Sequence, residues 1–242
     1  MPTREPLPRR VNQLLAALPD DDYQRLQSFL EDVPLALKQV LFEKQAPIEY
    51  VYFPVDCIIS LVIKMENGDM VEAGTVGDEG AVGVPLAFEA SRSPFTAFAQ
   101  VPGRALRMRA QDLFAALEQN GPLANLMRRY AEAFLGQVAQ GGACNQLHSV
   151  AQRCARWLLL TQDRLHTDEF PLTQEFLCQM LGVRRATVSE IASAFQKAGY
   201  IRYHRGWMTI VDRRGLEATS CECYRVIQGE YQRLLQTDWG SK

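Results

Sequence analysis

The chain has 242 residues, which makes two domains the default expectation. Hydrophobic residues make up 47% and charged residues 22%, a balance that excludes a disordered or collagen-like chain. The net charge of −2 is unevenly spread: residues 1–147 carry 13 Lys/Arg against 18 Asp/Glu, and residues 171–242 carry 10 against 7. A basic back half suits a chain that meets a polyanion there. The most apolar run, residues 57–63, is too short to span a bilayer as a helix, which takes about 20 residues. The charged, proline-containing residues 1–11 lead into no apolar segment, so a cytoplasmic protein with no membrane partner is expected. The six cysteines, Cys57, Cys144, Cys154, Cys178, Cys221 and Cys223, contain no C-x-x-C pair. Most are expected to be free thiols packed as small hydrophobes, with no metal and no cofactor; Cys221-x-Cys223, in a terminal helical segment, leaves metal or redox use as the alternative.

In chain order, residues 12–18 read as a helix broken by Pro19, with Asp20, Asp21 and Asp22 opening a second helix through Leu30. Short runs rich in Val, Ile, Phe or Tyr follow at 37–42, 48–53, 57–65, 70–76, 80–86, 95–101 and 105–109. Turn residues separate most of them, which indicates an antiparallel sandwich or barrel. Asn67-Gly68 predicts a type I′ hairpin joining 57–65 to 70–76. Asp78-Glu79 sits beside glycine and reads as a solvated turn.

Residues 110–119 read as a short helix and 123–147 as a long one, roughly 37 Å at 1.5 Å per residue. One face of the long helix carries Leu123, Met127, Tyr130, Phe134 and Val138; another carries Leu126, Ala133, Gln137 and Cys144. Two usable faces suggest that it touches both its own domain and a partner. Gly136, Gly141 and Gly142 fit either a close backbone approach or a kink. Residues 149–165 form a further apolar helix, and 166–169 read as a polar linker.

Residues 172–211 are the most informative. Leu172-Thr173-Gln174-Glu175 opens a helix with Thr173 as its cap, and Gly182 provides a tight turn. Arg184-Arg185-Ala186-Thr187-Val188-Ser189-Glu190 then starts a second helix whose Val188, Ile191, Ala192 and Phe195 face inward. Two β runs around Arg205-Gly206 make a wing. Short polar and basic residues at a helix start suit entry into the major groove. The DNA-contacting set is therefore Thr173, Gln174, Arg184, Arg185, Thr187, Ser189, Glu190, Lys197, His204 and Arg205. Arginine can pair with guanine and glutamate with cytosine; the remainder can hold phosphates.

The order of two short helices, a β-roll, a long helix and a winged helix–turn–helix, with Leu-Thr-Gln-Glu followed by Leu-Gly-Val-Arg-Arg-x-Thr-Val, resembles the Crp/Fnr family of bacterial transcription regulators. The resemblance covers about residues 10–220. It implies an α+β fold: a jelly-roll-like sensor over 1–120, a dimerisation helix over 121–147, a connecting helix and linker over 148–169, and a winged helix–turn–helix over 170–242. It further implies a homodimer on a pseudo-palindromic double-stranded DNA operator, with RNA polymerase as a partner. Arg185, Ser189 and Glu190 match the family's base-reading positions, but Ala186 stands where Glu is common and Glu190 where Arg is common. The operator of better-known members therefore does not carry over.

Cyclic-nucleotide binders of this family use a Gly-Glu pair and an Arg-Ser/Thr pair. Here Gly83 fits, Val84 replaces the glutamate, and Arg92 lies one residue off beside Ser93-Pro94. Tight cyclic-AMP binding of the usual kind is not expected, because a buried phosphate would lack its charge partner. Gly80, Gly83, Val84, Arg92, Ser93, Arg104 and Tyr130 remain candidates for lining another effector's pocket. All three histidines lie outside the roll, and residues 1–143 hold only Cys57, which disfavours haem and iron–sulfur sensing. Cys144 on the dimer helix could oppose its symmetry mate as a redox pair. No phosphate loop, catalytic triad or dinucleotide fingerprint suggests an enzyme. The competing reading is a ligand- or redox-responsive module acting through protein contacts rather than DNA.

Overall fold

Asn12 caps α1 (Gln13–Ala16) by accepting from the Leu15 amide, and its own amide nitrogen donates to the carbonyls of Pro54 and Gly80. This polar side chain is fully buried, so it fastens the helix to the sheet domain. The structure, a computed structural model, describes residues 11–235; most of the charged N-terminal segment and the last seven residues of the expected second domain lie outside them. Pro19 is the N-cap of α2 (Asp20–Gln27) and offers no side-chain acceptor, while the first turn holds all three aspartates.

The roll is two antiparallel sheets. One has the order β2 (Val40–Phe42), β6 (Thr96–Val101), β4 (Ile58–Lys64), β5 (Met70–Val76). The other has the order β1 (Glu31–Leu35), β7 (Gly103–Arg109), β3 (Tyr50–Pro54). Ile59, Leu61, Val76, Ala97, Ala99, Val51, Phe53, Leu106 and Met108 fill the space between them.

Three expectations are corrected. Residues 80–86 are not a strand: Gly83 at φ 127° and Pro85 turn the chain into a 3-10 helix at Val84–Phe88, leaving one bridge between Tyr52 and Val82. The β4–β5 connection is not type I′. Gly68 (φ 89°) has positive φ while Asn67 does not, and the bonds Gly68 N to Met65 O and Met65 N to Asp69 O make a turn closed by a glycine bulge. β1 goes beyond the predicted runs, because Pro34 and two acids disguise it; Pro is tolerated at a sheet edge.

α3 (Ala110–Glu118) leads into α4 (Pro122–Leu147), which is continuous through all three glycines. A Cβ on Gly136 or Gly142 would meet nothing within 4 Å, and on Gly141 only the Ala73 carbonyl at 3.9 Å, so among the described residues no close backbone approach occurs at these glycines. Both predicted faces are largely used internally: Leu123, Met127, Tyr130 and Phe134 pack on the roll, and α9 (Cys223–Leu235) lies along the helix. Tyr231 of α9 packs on Tyr130 with ring centroids 6.3 Å apart. The exposed stripe is a third face: Leu135 (67% exposed), Ala139, Gly142, Ala143 and Leu147 (79%).

Ser149 caps α5 (Val150–Leu165) through a reciprocal capping box with Gln152. The predicted polar linker is partly structured: His166 ends α5 in a left-handed conformation, and β8 (Glu169–Pro171) joins a three-stranded sheet.

α5 also joins the two halves. Its Arg164, fully buried, donates through Nε to Glu79 Oε1 at 2.8 Å, through Nη1 to Thr75 Oγ1 at 2.7 Å and through Nη2 to Gln137 Oε1 at 2.7 Å. Asp78-Glu79 is therefore no solvated turn; both are buried, Asp78 accepting from Gln13 and pairing with His166. Burial pushes the Glu79 carboxyl up, and the Arg164 guanidinium opposes that. Two turns earlier, Trp157 Nε1 donates to Glu72 Oε1 of β5 at 2.9 Å.

Candidate nucleic-acid interface

Thr173 accepts from the Phe176 amide at 3.1 Å and so caps α6 (Gln174–Leu181). Gly182 ends it at φ 64°, a left-handed turn that a side chain would strain. The Arg153 guanidinium of α5 donates to the carbonyl of Leu181, satisfying an end of α6 that is buried against the first domain. α7 (Arg185–Lys197) follows at once. Val188, Ala192 and Phe195 are buried and Ile191 half-buried, while Arg184, Arg185, Ala186, Glu190 and Lys197 are exposed. Arg184 at the N-cap makes no side-chain cap bond, so the first-turn amides lack a side-chain acceptor.

β9 (Ile201–His204) and β10 (Trp207–Ile210) form the wing, with β8 as a third strand. Arg205 (φ 47°) and Gly206 (φ 83°) make the tip a type I′ turn, which exposes His204 and Arg205. Gly199 (φ 78°) closes α7, and α8 (Arg213–Thr219) packs beneath on α5, where Arg213 pairs with buried Asp163 at 2.8 Å.

The sequence-derived contact set therefore divides. Arg184, Arg185, Glu190, Lys197, His204 and Arg205 are exposed on α7 and the wing, with Thr187 half-buried beside them. Ser189 and Gln174 bond to each other, the hydroxyl donating to the amide oxygen at 2.8 Å, and so lock α6 to α7. Thr173 is engaged as a cap.

The helix–turn–helix is docked on the roll. Phe176 meets Phe98 edge-on at 6.1 Å and 87°, and Met180 lies against Ser60. A cleft of about 630 Å³ separates the β4–β5 hairpin from the turn, lined among others by Met70, Val71, Gly182, Val183 and Arg184.

Residues 33–120 match the family model of a cyclic nucleotide-binding domain, and residues 152–219 match a Crp-like helix-turn-helix domain. The chain belongs to the Crp/Fnr family. This Crp/Fnr chain is a transcriptional regulator. Its fold is that of TTHB099, a CRP-family transcriptional regulator from Thermus thermophilus (16% identity, 78% of this chain and 96% of that one, TM-score 0.64). FixK2 from Bradyrhizobium japonicum is similar (16% identity, 79% and 98% covered, TM-score 0.63). So is CLP, a c-di-GMP-responsive global regulator of Xanthomonas campestris (13% identity, 79% and 99% covered, TM-score 0.64). No curated protein matches this sequence. Among the described residues, no helix is long and apolar enough to cross a membrane. The helix-turn-helix match begins inside α5, the helix that carries Arg153, Trp157 and Arg164.

In the sensor of this Crp/Fnr chain, the candidate pocket residues fall into two groups. Gly80 lies against Tyr130 so tightly that a Cβ would sit 2.3 Å from the ring. Tyr130 is fully buried between Gly80 and Tyr231, and burial holds its hydroxyl well above the usual phenol range. Gly83 and Val84 start the 3-10 turn nearby. In the second group, Arg92 is exposed and donates to the Gln45 carbonyl, while the Ser93 hydroxyl accepts from the Phe95 amide. Arg104 is taken up outside by Asp32 at 3.1 Å and Asp56 at 3.5 Å. The residues that sequence reasoning missed are Arg164, Gln137 and Thr75, whose bonds join α5, α4 and β5. An arginine in the last turn of an apolar helix, after Leu158-Leu159-Leu160, is their sequence signal.

Proposed function

We propose that the protein is a homodimeric, sequence-specific DNA-binding regulator that reads its operator with the start of α7. The observation that carries this is the division of α7. Its inner face is the core of the helix–turn–helix, while Arg185 and Glu190 stand free at the end that can enter a major groove, flanked by the Arg205 wing. Arg185 is then the guanine reader and Glu190 accepts from cytosine; Lys197 and Arg205 hold phosphates. The exposed stripe Leu135, Ala139, Gly142, Ala143 and Leu147 supports dimerisation through α4, since small residues with open space above them let a second copy approach. RNA polymerase is the further partner proposed, in the cytoplasm, with no catalytic activity of the protein's own.

The sensor does not bind cyclic AMP in the usual way in this reading. Val84 supplies no carboxylate, and Arg92 is committed to the Gln45 carbonyl at the surface. Gly80, Gly83, Val84, Arg92, Ser93 and Tyr130 remain its proposed effector-facing residues.

Selection of bound sequences from a random DNA pool tests the proposal. A two-fold symmetric motif with half-sites about 35 Å apart is expected. Arg185→Ala, at an exposed position, should cost about 1–3 kcal/mol in affinity for the selected site and relax selectivity at one base of each half-site. An unsymmetric or empty selection, or unchanged affinity in Arg185→Ala, contradicts the assignment.

A further inference from the structure

Two short patterns far apart in sequence meet at the end of α4. Cys144 and His148 stand four residues apart, on the last turn and the C-cap of α4. Cys223 opens α9 and Cys221 lies two residues before it, both after α8. Cys144 Sγ is 3.5 Å from Cys221 Sγ, and Cys223 Sγ is 3.5 Å from His148 Nδ1. All four ligand atoms lie within 4.8 Å of one another, and the three sulfurs form a small buried cluster apart from the main core.

These dimensions suit one ion. Zinc held at about 2.3 Å from sulfur and about 2.0 Å from nitrogen spaces its ligands about 3.5–3.8 Å apart around a tetrahedron. Three thiolates and one imidazole are a structural zinc set, and soft sulfur donors select against magnesium or calcium. The surroundings fit as well. His148 turns Nδ1 inward, and its Nε2 meets Glu222 Oε2 at 3.2 Å, the carboxylate that orients a metal-bound imidazole. Gln140 Nε2 donates to Cys223 Sγ at 3.0 Å. Arg153 and Arg156 of α5 act electrostatically on Cys144, where the bound set would carry one net negative charge. The other three thiols, Cys57, Cys154 and Cys178, lie in the main core and outside this cluster.

We propose that Cys144, His148, Cys221 and Cys223 form a tetrahedral zinc site that clamps α9 onto the end of α4. Binding releases the protons of the three thiols to solvent and leaves His148 neutral. The clamp joins residues before the helix–turn–helix to residues after the wing and α8, so it fixes where α9 meets the long helix. It also gives Cys144 an intrachain role, because the sulfur beside it is Cys221 of the same chain.

Untagged full-length protein, purified under reducing conditions without chelator, should contain about one zinc per chain by plasma mass spectrometry. Cobalt(II) in its place should give the visible bands of a tetrahedral ion together with thiolate charge transfer. The Cys221→Ser, Cys223→Ser double variant should lose metal roughly tenfold or more, whereas Cys178→Ser, a thiol outside the cluster, keeps it. His148→Asn should hold the ion more weakly and shift the cobalt bands, a readout that survives if the double variant fails to fold. Wild-type protein that takes up neither zinc nor cobalt, a cobalt spectrum without thiolate charge transfer, or a Cys144–Cys221 disulfide in the reduced protein overturns the site. DNA binding plays no part in these readings.

Discussion

Arg164→Met should lower the free energy of unfolding by about 3–5 kcal/mol, the cost of leaving a buried charge without its partner. The enclosed guanidinium donates to Glu79, Thr75 and Gln137, drawn from the turn after β5, from β5 itself and from α4. Methionine fills much of the volume and supplies no donor. Glu79 then keeps backbone donors such as the Gly77 amide at 3.0 Å but loses its counter-charge, too little for a carboxylate with no exposure. The Arg164→Met, Glu79→Gln pair should recover part of the loss, because the uncompensated charge is gone. Urea unfolding of the three proteins measures this. A loss under about 1 kcal/mol in Arg164→Met would mean that the pair does not hold the first domain to α5.

Glu72→Gln should stabilise the protein at pH 8 and change little at pH 5. Glu72 is half-buried where β5 faces α5, and desolvation pushes its carboxyl up to about 7 from 4.5. Folded protein therefore binds a proton that unfolded protein has released between those values. Stability is fully present below about pH 4.5 and is lost as pH rises through about 7, with a total near 3 kcal/mol at 1.36 kcal/mol per pH unit. The bonding suits the neutral form. The Ser60 hydroxyl lies 2.9 Å from Glu72 Oε2 and 2.6 Å from Gln100 Oε1, and its single proton cannot serve both. A protonated Glu72 donating to Ser60, which donates to Gln100, satisfies the chain. Glutamine stays neutral and still accepts from Trp157. Thermal unfolding from pH 5 to pH 8 should show a falling midpoint in the wild type that flattens in the variant. Parallel curves would refute the assignment.

The recognition unit was legible because its signals are local. Thr173 caps, Gly182 turns, and Val188, Ala192 and Phe195 repeat at helical spacing, so the neighbouring chain decides the structure. The strands were legible where β-branched residues alternate with turns. β1 was hidden because Pro34 is acceptable only at an edge, and edge position is a property of the sheet. The second face of α4 was read as a partner surface, since nothing in residues 122–147 reveals that α9 returns to cover it. Asp78-Glu79 looked solvated for the same reason: its counter-charge, Arg164, is 85 residues away from Glu79. The Cys144–His148 and Cys221–Cys223 pairs are each weak signals, and only the packing of α9 on α4 makes them one cluster.

The proposal that α7 and the wing grip DNA is tested most directly by fluorescence anisotropy of the reduced, ligand-free protein with DNA from upstream of its own gene. Affinity for one segment should exceed that for unrelated DNA and should fall roughly tenfold or more between about 50 and about 200 mM salt, as phosphate contacts release counterions. Binding that is absent, or that does not change with salt, would contradict it.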